Sequence, residues 1–358
     1  MSGTVEQAPR RVDFGHGTVV IRRRRWFALR WPLRSMIVCA VLVVLTVAVS
    51  VWAVTLGKYP VTVAEVWGAL IDDPAVGFAR QVVVEWRLPR VLAAAVFGAA
   101  LGASGAVFQS LTRNPLASPD IIGFSAGSFT GALVVIILVG GSFLQVAGGA
   151  LLGGIATAAA VYVLAWRGGV QGFRLIVIGI GVSAVLGSFN TWLMFTAKLE
   201  VALSAAVWGA GSLNGTTWEQ AAVGSGVVVV LLVGLLGLMP ASRQLELGDD
   251  AARATGVRTE PVRLAVVVLG VALTATVTAA AGPIAFVALA APQIGRRLTR
   301  APGVTILPAA LTGALLLAGA DVTAQRLLPV AVPVGVVTVV AGGGYLVWLI
   351  VREVRRRA

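Results

Sequence analysis

Charge is what this chain has least of. Only 12% of its 358 residues are charged, and 15 acids stand against 28 basic residues. One cysteine (Cys39) and one histidine (His16) cannot assemble a transition-metal cage, so any metal handled here must arrive already chelated. The only lysines are Lys58 and Lys198, and neither sits in the G-x-x-x-x-G-K-[ST] pattern that cradles nucleotide phosphates. Gly179-Ile180-Gly181 has the look of a dinucleotide loop but lies inside an apolar run, where close helix packing is the better reading. Cys39 also lies in an apolar run, reads as a small packing residue and says nothing about redox compartment. The net charge of +13 does not point to nucleic acid, because that needs basic residues on a soluble surface with aromatic platforms.

What the chain has in abundance is apolar length. Hydrophobic residues make up 58%, and a bilayer span needs about 20 of them in succession. Stretches without an ionisable side chain run over Ser35–Gly57, Val91–Thr112, Ile121–Trp166, Leu175–Ala197, Ala221–Ser242, Leu264–Gly295, Ala301–Ala320 and Leu327–Val351. Two are long enough to divide, at Gly140-Gly141-Ser142 and at Gly282-Pro283, which gives ten spans in an all-α membrane protein. Val201–Trp218 reads as a half-helix on the outer face. Eight arginines precede residue 35 and four lie in the last seven residues. Basic residues stay on the cytoplasmic side, so both termini are expected there, flanking a permease domain over residues 35–353. Residues 1–34 read as a flexible basic tail, in which Arg22–Arg25 serve as a topology signal. No cleavable signal peptide is expected, because Ser35–Gly57 is too long. All fifteen acids fall outside these stretches. Ion-coupled carriers place ionisable groups at mid-membrane, so these spans offer no evident ion-coupling site and the energy for transport should come from elsewhere.

Gly98, Gly102 and Gly105 line one side of the second span, and Gly149 and Gly153 repeat the spacing in the fourth; such faces let helices approach closely. Three polar islands interrupt the apolar pattern. Arg87-Leu88-Pro89-Arg90 falls at the outer edge of the second span, with proline suited to a first helical turn and two guanidiniums that could grip carboxylates. Arg113, Asn114, Pro115 and Pro119 make a rigid cytoplasmic turn up to Asp120. Residues 245–263 form the only substantial cytoplasmic segment between spans. There Asp249 and Asp250 open a short helix, Gly256 stops it and a short second element follows.

These residues, in this order, resemble the FecCD family over about residues 36–353. Its members are BtuC-like permease subunits of type II, binding-protein-dependent ABC importers for iron chelates and cobalamin. The motifs are Arg87–Arg90, Gly98–Gln109, Arg113–Pro119 with Gly123, Leu247–Gly256 and Gly282–Val287. Within the family, Glu85–Leu92, Phe108–Gly123, Phe173–Ile176, Phe189–Trp192 and Trp208–Gly215 look like the ferric-enterobactin branch. The resemblance implies a bacterial cytoplasmic-membrane subunit with no cofactor of its own. Its partners would be a related permease subunit, two ATPase subunits that carry the ATP, and an extracytoplasmic siderophore-binding protein. It implies docking of that protein at Arg87, Arg90 and Arg326. ATPase coupling falls to Leu247, Gly248, Asp249, Asp250, Ala251, Ala254 and Gly256, and a translocation path passes Asn190, Thr191 and Trp192. The same machine could carry haem, cobalamin or a hydroxamate siderophore; an autonomous secondary carrier is the rival class. The chain departs from the broad family pattern at Pro292-Gln293, Ala331-Val332-Pro333 and Gly342-Gly343-Gly344.

Overall fold

The computed structural model describes residues 18–23, 27–57, 59–120, 123–166, 172–303 and 305–357. His16, Arg24, Arg25 and Lys58 lie outside them. Apart from one hairpin the regular elements among the described residues are helices. Within the stretch read as a flexible tail, the described residues form a hairpin: β1 (Thr18–Arg23) pairs antiparallel with β2 (Phe27–Pro32) in the register Thr18↔Pro32 to Arg23↔Phe27. Its first strand opens on Thr-Val-Val-Ile, a β-branched run that suits a pleated ribbon and outweighs the arginines beside it.

Among the described residues seven helices are long and apolar enough to cross a bilayer: Leu33–Thr55, Phe78–Thr112, Phe143–Ala165, Phe173–Thr196, Trp218–Glu246, Thr259–Ala281 and Ile306–Leu327. Phe124–Val139, Leu199–Gly209 and Val334–Trp348 are shorter apolar helices. The expected breaks occur where glycine allows them. Gly140 (φ +65°) ends one helix, and Gln145 Oε1 accepts from the Ser142 N–H at 2.8 Å to start the next. Gly282 (φ +71°) separates α11 (Thr259–Ala281) from the short α12 (Val287–Thr299). The expected half-helix is α8 (Leu199–Gly209), followed by turns rather than helix up to Thr217.

The core is built around α4 (Leu88–Thr112), whose sequence is alanine- and glycine-rich on every side and is accordingly buried all round. It packs against α13 (Ile306–Val322), α12, α11 and α9 (Trp218–Glu246). Phe97, Leu101, Val228, Leu273 and Leu317 fill the space between them. The approach is backbone to backbone. A Cβ at Gly102 would lie 2.2 Å from the Ala309 carbonyl oxygen, and one at Gly105 only 1.7 Å from that of Ala288. In a second group, Gly127 and Gly131 of α5 (Phe124–Val134) meet Gly149 and Gly153 of α6 (Phe143–Ala165) in the same manner. Gly181 departs from the packing expected of it and faces open space. Interhelical hydrogen bonds pin the core: Ser104 donates to the Gly270 carbonyl at 2.7 Å and Thr274 to Ser104 at 2.8 Å. The outer faces carry exposed Val44, Leu144, Val230 and Val340, which suit hydrocarbon rather than water.

Candidate functional site

Helix α4 runs the depth of the bundle, so its two ends locate two polar regions. The first lies at its start. The expectation that the helix begins near Pro89 is corrected: it begins at Phe78 and passes through a π-helical stretch, Gln81–Arg87. Proline has no N–H to give and its ring crowds the preceding turn, and the widened turn absorbs both. The Trp218 indole then donates to the Val84 carbonyl at 2.7 Å, within the widened turn.

Both guanidiniums of this motif are engaged within the chain. Arg87 is buried and donates to the carbonyls that end α1 (Leu33–Thr55) and follow it: Val54 at 2.6 Å, Thr55 at 3.4 Å and Tyr59 at 2.5 Å. Those last-turn carbonyls lack helical partners, and a buried cation there meets both the hydrogen-bond demand and the helix dipole. Arg90 grips Asp321 of α13 with both ends of its fork, at 2.6 to 3.2 Å. Asp321 thus places an acid inside the apolar helix Ile306–Leu327, beyond the end of the stretch read from sequence. Arg326 is exposed and makes no ion pair among the described residues. Gly57 brings the arginines together, since a Cβ there would sit 2.0 Å from Arg87 Nη2 and 3.1 Å from Arg326 Nη2. These side chains line an open cleft of about 1030 Å³ with Tyr59, Trp86 and Trp218. Three arginines against Asp321 and Glu85 leave it electropositive.

The second region lies where α4 ends. Arg113 adopts a left-handed backbone (φ +50°) and donates to the Leu245 carbonyl at 3.2 Å, tying this turn to the end of α9. Asn114 Oδ1 accepts from the Leu116 N–H at 2.9 Å, and the Pro119 carbonyl accepts from Phe124. Gln293, one of the departures from the family pattern, donates to the Pro115 carbonyl at 2.7 Å and so fastens the turn to α12. Asp120 closes the connection between α4 and α5. Its Oδ1 accepts from the Ser125 hydroxyl at 2.7 Å while Oδ2 is enclosed without a partner. Burial pushes its carboxyl up to about 6, against the opposing pull of the Ser125 hydroxyl and the Phe286 N–H.

Beside this turn, Gly248 (φ +113°) starts the short helix α10 (Asp249–Ala254), and Gly256 (φ +85°) stops it as expected. The expected second short element is instead the first turn of α11. Leu247, Asp250, Ala251 and Ala254 are exposed, whereas Ala252 is buried against the bundle. Sequence reading missed the strut behind them. Arg263 of α11 donates to Asp249 Oδ1 at 2.7 Å and to Glu260 Oε1 at 2.5 Å, which joins the short helix to a long one. The signal was present as an arginine one turn into an apolar helix.

Of the three expected path residues, Asn190 and Thr191 border an open cleft of about 660 Å³ with Ser125, Phe129, Met194 and Pro283. Asn190 is buried and accepts from Thr130 at 2.7 Å. Trp192 is exposed, stacks on Phe189 and does not border that cleft.

A bundle of apolar helices with an electropositive cleft at one end and an exposed short helix at the other describes a membrane transport subunit. Residues 42–352 match the FecCD transport family, and the chain belongs to it. It is 48% identical over 325 residues to the ferric enterobactin transport system permease protein FepG of Escherichia coli (strain K12), covering 90% of this chain and 98% of that one. It is 35% identical to the achromobactin transport system permease protein CbrC of Dickeya dadantii (strain 3937), over 95% and 98% of the two chains. Among solved structures it is similar to a putative metal-chelate type ABC transporter in an inward-facing conformation. The TM-score there is 0.77 at 28% identity, over 88% of this chain and 99% of that one.

Proposed function

We propose that the chain is the permease subunit of a bacterial ABC importer for a ferric siderophore of the catecholate, enterobactin-like type. The observation that carries this is the 48% identity to FepG along almost the whole of both chains. In this reading it crosses the cytoplasmic membrane ten times with both termini inside, pairs with a related permease subunit, and serves two ATPase subunits and an extracytoplasmic binding protein.

The geometry supports a division of labour. Arg326, exposed on the rim of the cleft, meets acidic side chains of the loaded binding protein. Arg87 and Arg90 line the same cleft and shape it from within, so their share in docking is to hold α1, α4 and α13 together. At the other end α10 seats in the ATPase, and Arg263 passes its displacement to α11. The break at Gly282 then lets α11 and α12 move as separate rods, tipping the bundle between outward- and inward-facing packings. The cargo passes the Asn190 and Thr191 cleft, whose weak polar walls let a large chelate leave.

The test is uptake of radiolabelled iron in a strain deleted for this chain, offered as ferric catecholate, ferric hydroxamate or haem. Selective loss of catecholate uptake, restored by the wild-type chain and not by Arg326→Glu, supports both cargo and docking face. Loss confined to another chelate keeps the machine and changes the cargo. Undiminished uptake of all three in a strain shown to have no second importer overturns the reading.

A further inference from the structure

Four non-glycine residues among those described have a positive φ: Asp72, Arg113, Phe286 and Arg300. Three have an ordinary cause. Arg113 and Arg300 each follow the last turn of a helix, a common place for a left-handed residue. Aspartate tolerates the region because its short polar side chain can bond locally. Phe286 has neither excuse. It precedes the first turn of α12 with φ +68° and ψ −25°, and a γ-turn closes across it, the Val287 N–H donating to the Ala285 carbonyl at 2.9 Å. Turns of this hand are rare and strained, and a bulky ring at the centre is a genuine outlier.

A strained residue persists only where its surroundings hold it. Three contacts do so here. The Phe286 carbonyl accepts from the Leu289 and Ala290 N–H groups at 3.1 and 2.9 Å, which anchors it to the first turn of α12. The Phe286 N–H faces the buried Asp120 carboxyl, just before α5. The side chain enters a hollow on the C-terminal helix α14 (Val334–Arg357) where Gly342 leaves room. A Cβ there would lie 2.3 Å from Phe286 Cβ and 2.6 Å from Cγ. The strained turn is thus held jointly from α5, α12 and α14. With an ordinary right-handed backbone at Phe286, α12 would leave Pro283–Ala285 in a different direction.

We propose that Phe286 is the positioning residue of the hinge between α11 and α12: its strained turn belongs to one of the transporter's two packings and relaxes in the other, so the stored strain sets the balance between them. The inference rests on the reading of α11 and α12 as rods that move separately, and not on the cargo.

The test places spin labels at Leu264→Cys on α11 and Leu298→Cys on α12, both exposed, in an otherwise cysteine-free assembled importer. Their distance is read with and without vanadate-trapped nucleotide. Phe286→Gly and Phe286→Ala both lose the ring, but only glycine takes a positive φ without strain. The balance should therefore favour the packing described here about tenfold more in the glycine variant than in the alanine variant, the scale of one left-handed residue. Gly342→Ala pushes the ring out of its hollow, so it should shift the wild type away from this packing and change little in a Phe286→Ala background. A distance that never responds to nucleotide overturns the separate-rods reading and the proposal with it. A distance that responds, with equal balances in the glycine and alanine variants, overturns the proposal alone, because the strain is then present in both packings. Should neither Phe286 variant assemble, Gly342→Ala decides the matter, and an unshifted balance there also overturns the proposal.

Discussion

The Arg90 fork and the Asp321 carboxylate meet where their side chains are only 17% and 6% exposed. Breaking such a pair leaves a buried charge uncompensated, which costs about 3–5 kcal/mol, whereas replacing both partners by apolar residues is often neutral. Arg90→Ala should therefore lower the thermal midpoint in detergent by several degrees, and Arg90→Leu/Asp321→Leu should recover most of the loss. Asp120 gives a second residue-scale prediction. Its carboxyl titrates near 6 in the fold and in the ordinary carboxylate range, near 4, when unfolded. Between those values the unfolded chain has released a proton that the fold retains, so stability falls as pH rises from about 4 to about 6 and is level above. Asp120→Asn stays neutral throughout. Its stability should exceed the wild type's at pH 7–8, by up to about 3 kcal/mol, and the advantage should be gone at pH 4; thermal midpoints of the two proteins across that range decide it. What Arg87 and Arg90 bind is not legible in the chain. Arg87 bonds to carbonyls, which leave no mark in a sequence, and Arg90 meets an acid 231 positions away.

Elements were easier to read than pairings. The apolar runs, the glycine breaks at Gly140 and Gly282, and the α10 boundaries are local signals, and local physics decides them. The π-helical turn before Pro89 and the β1–β2 hairpin were not read correctly. The first is a response to proline inside a longer helix. The second depends on β-branched residues that a count of arginines obscures. Close packing at Gly98, Gly102 and Gly105 was anticipated, and the structure grades it. Gly105→Ala must push α12 away from α4 and should cost about 3 kcal/mol or prevent accumulation, the upper range for overpacking. Gly226→Ala on α9, with nothing within 4 Å of the added methyl, should match or slightly exceed the wild type because alanine is the better helix former. Yield and monodispersity on gel filtration separate the two.

Across the whole molecule, Arg263 is the member that joins the exposed short helix to the interior. Arg263→Gln removes both its bonds to carboxylates. The assembled importer should still copurify with its ATPase subunits, while iron uptake falls tenfold or more for an unchanged rate of ATP hydrolysis. A parallel fall in both activities would mean that Arg263 supports assembly instead. The mid-bundle breaks raise a different matter. The Ser212 N–H donates to the Ala281 carbonyl at 2.7 Å and the Gly335 N–H to that of Gly211 at 3.0 Å, so the turn after α8 is stitched backbone to backbone to the end of α11 and the start of α14, both far away in the chain. Cβ atoms at Gly211, Gly282 and Gly335 would each lie within 2.3 Å of a carbonyl oxygen. Connecting segments are ordinarily the first to take up deuterium from solvent. Here the amides of Ser212 and Gly335 should be among the last, and the point where they begin to exchange would report that the rods on either side have come apart.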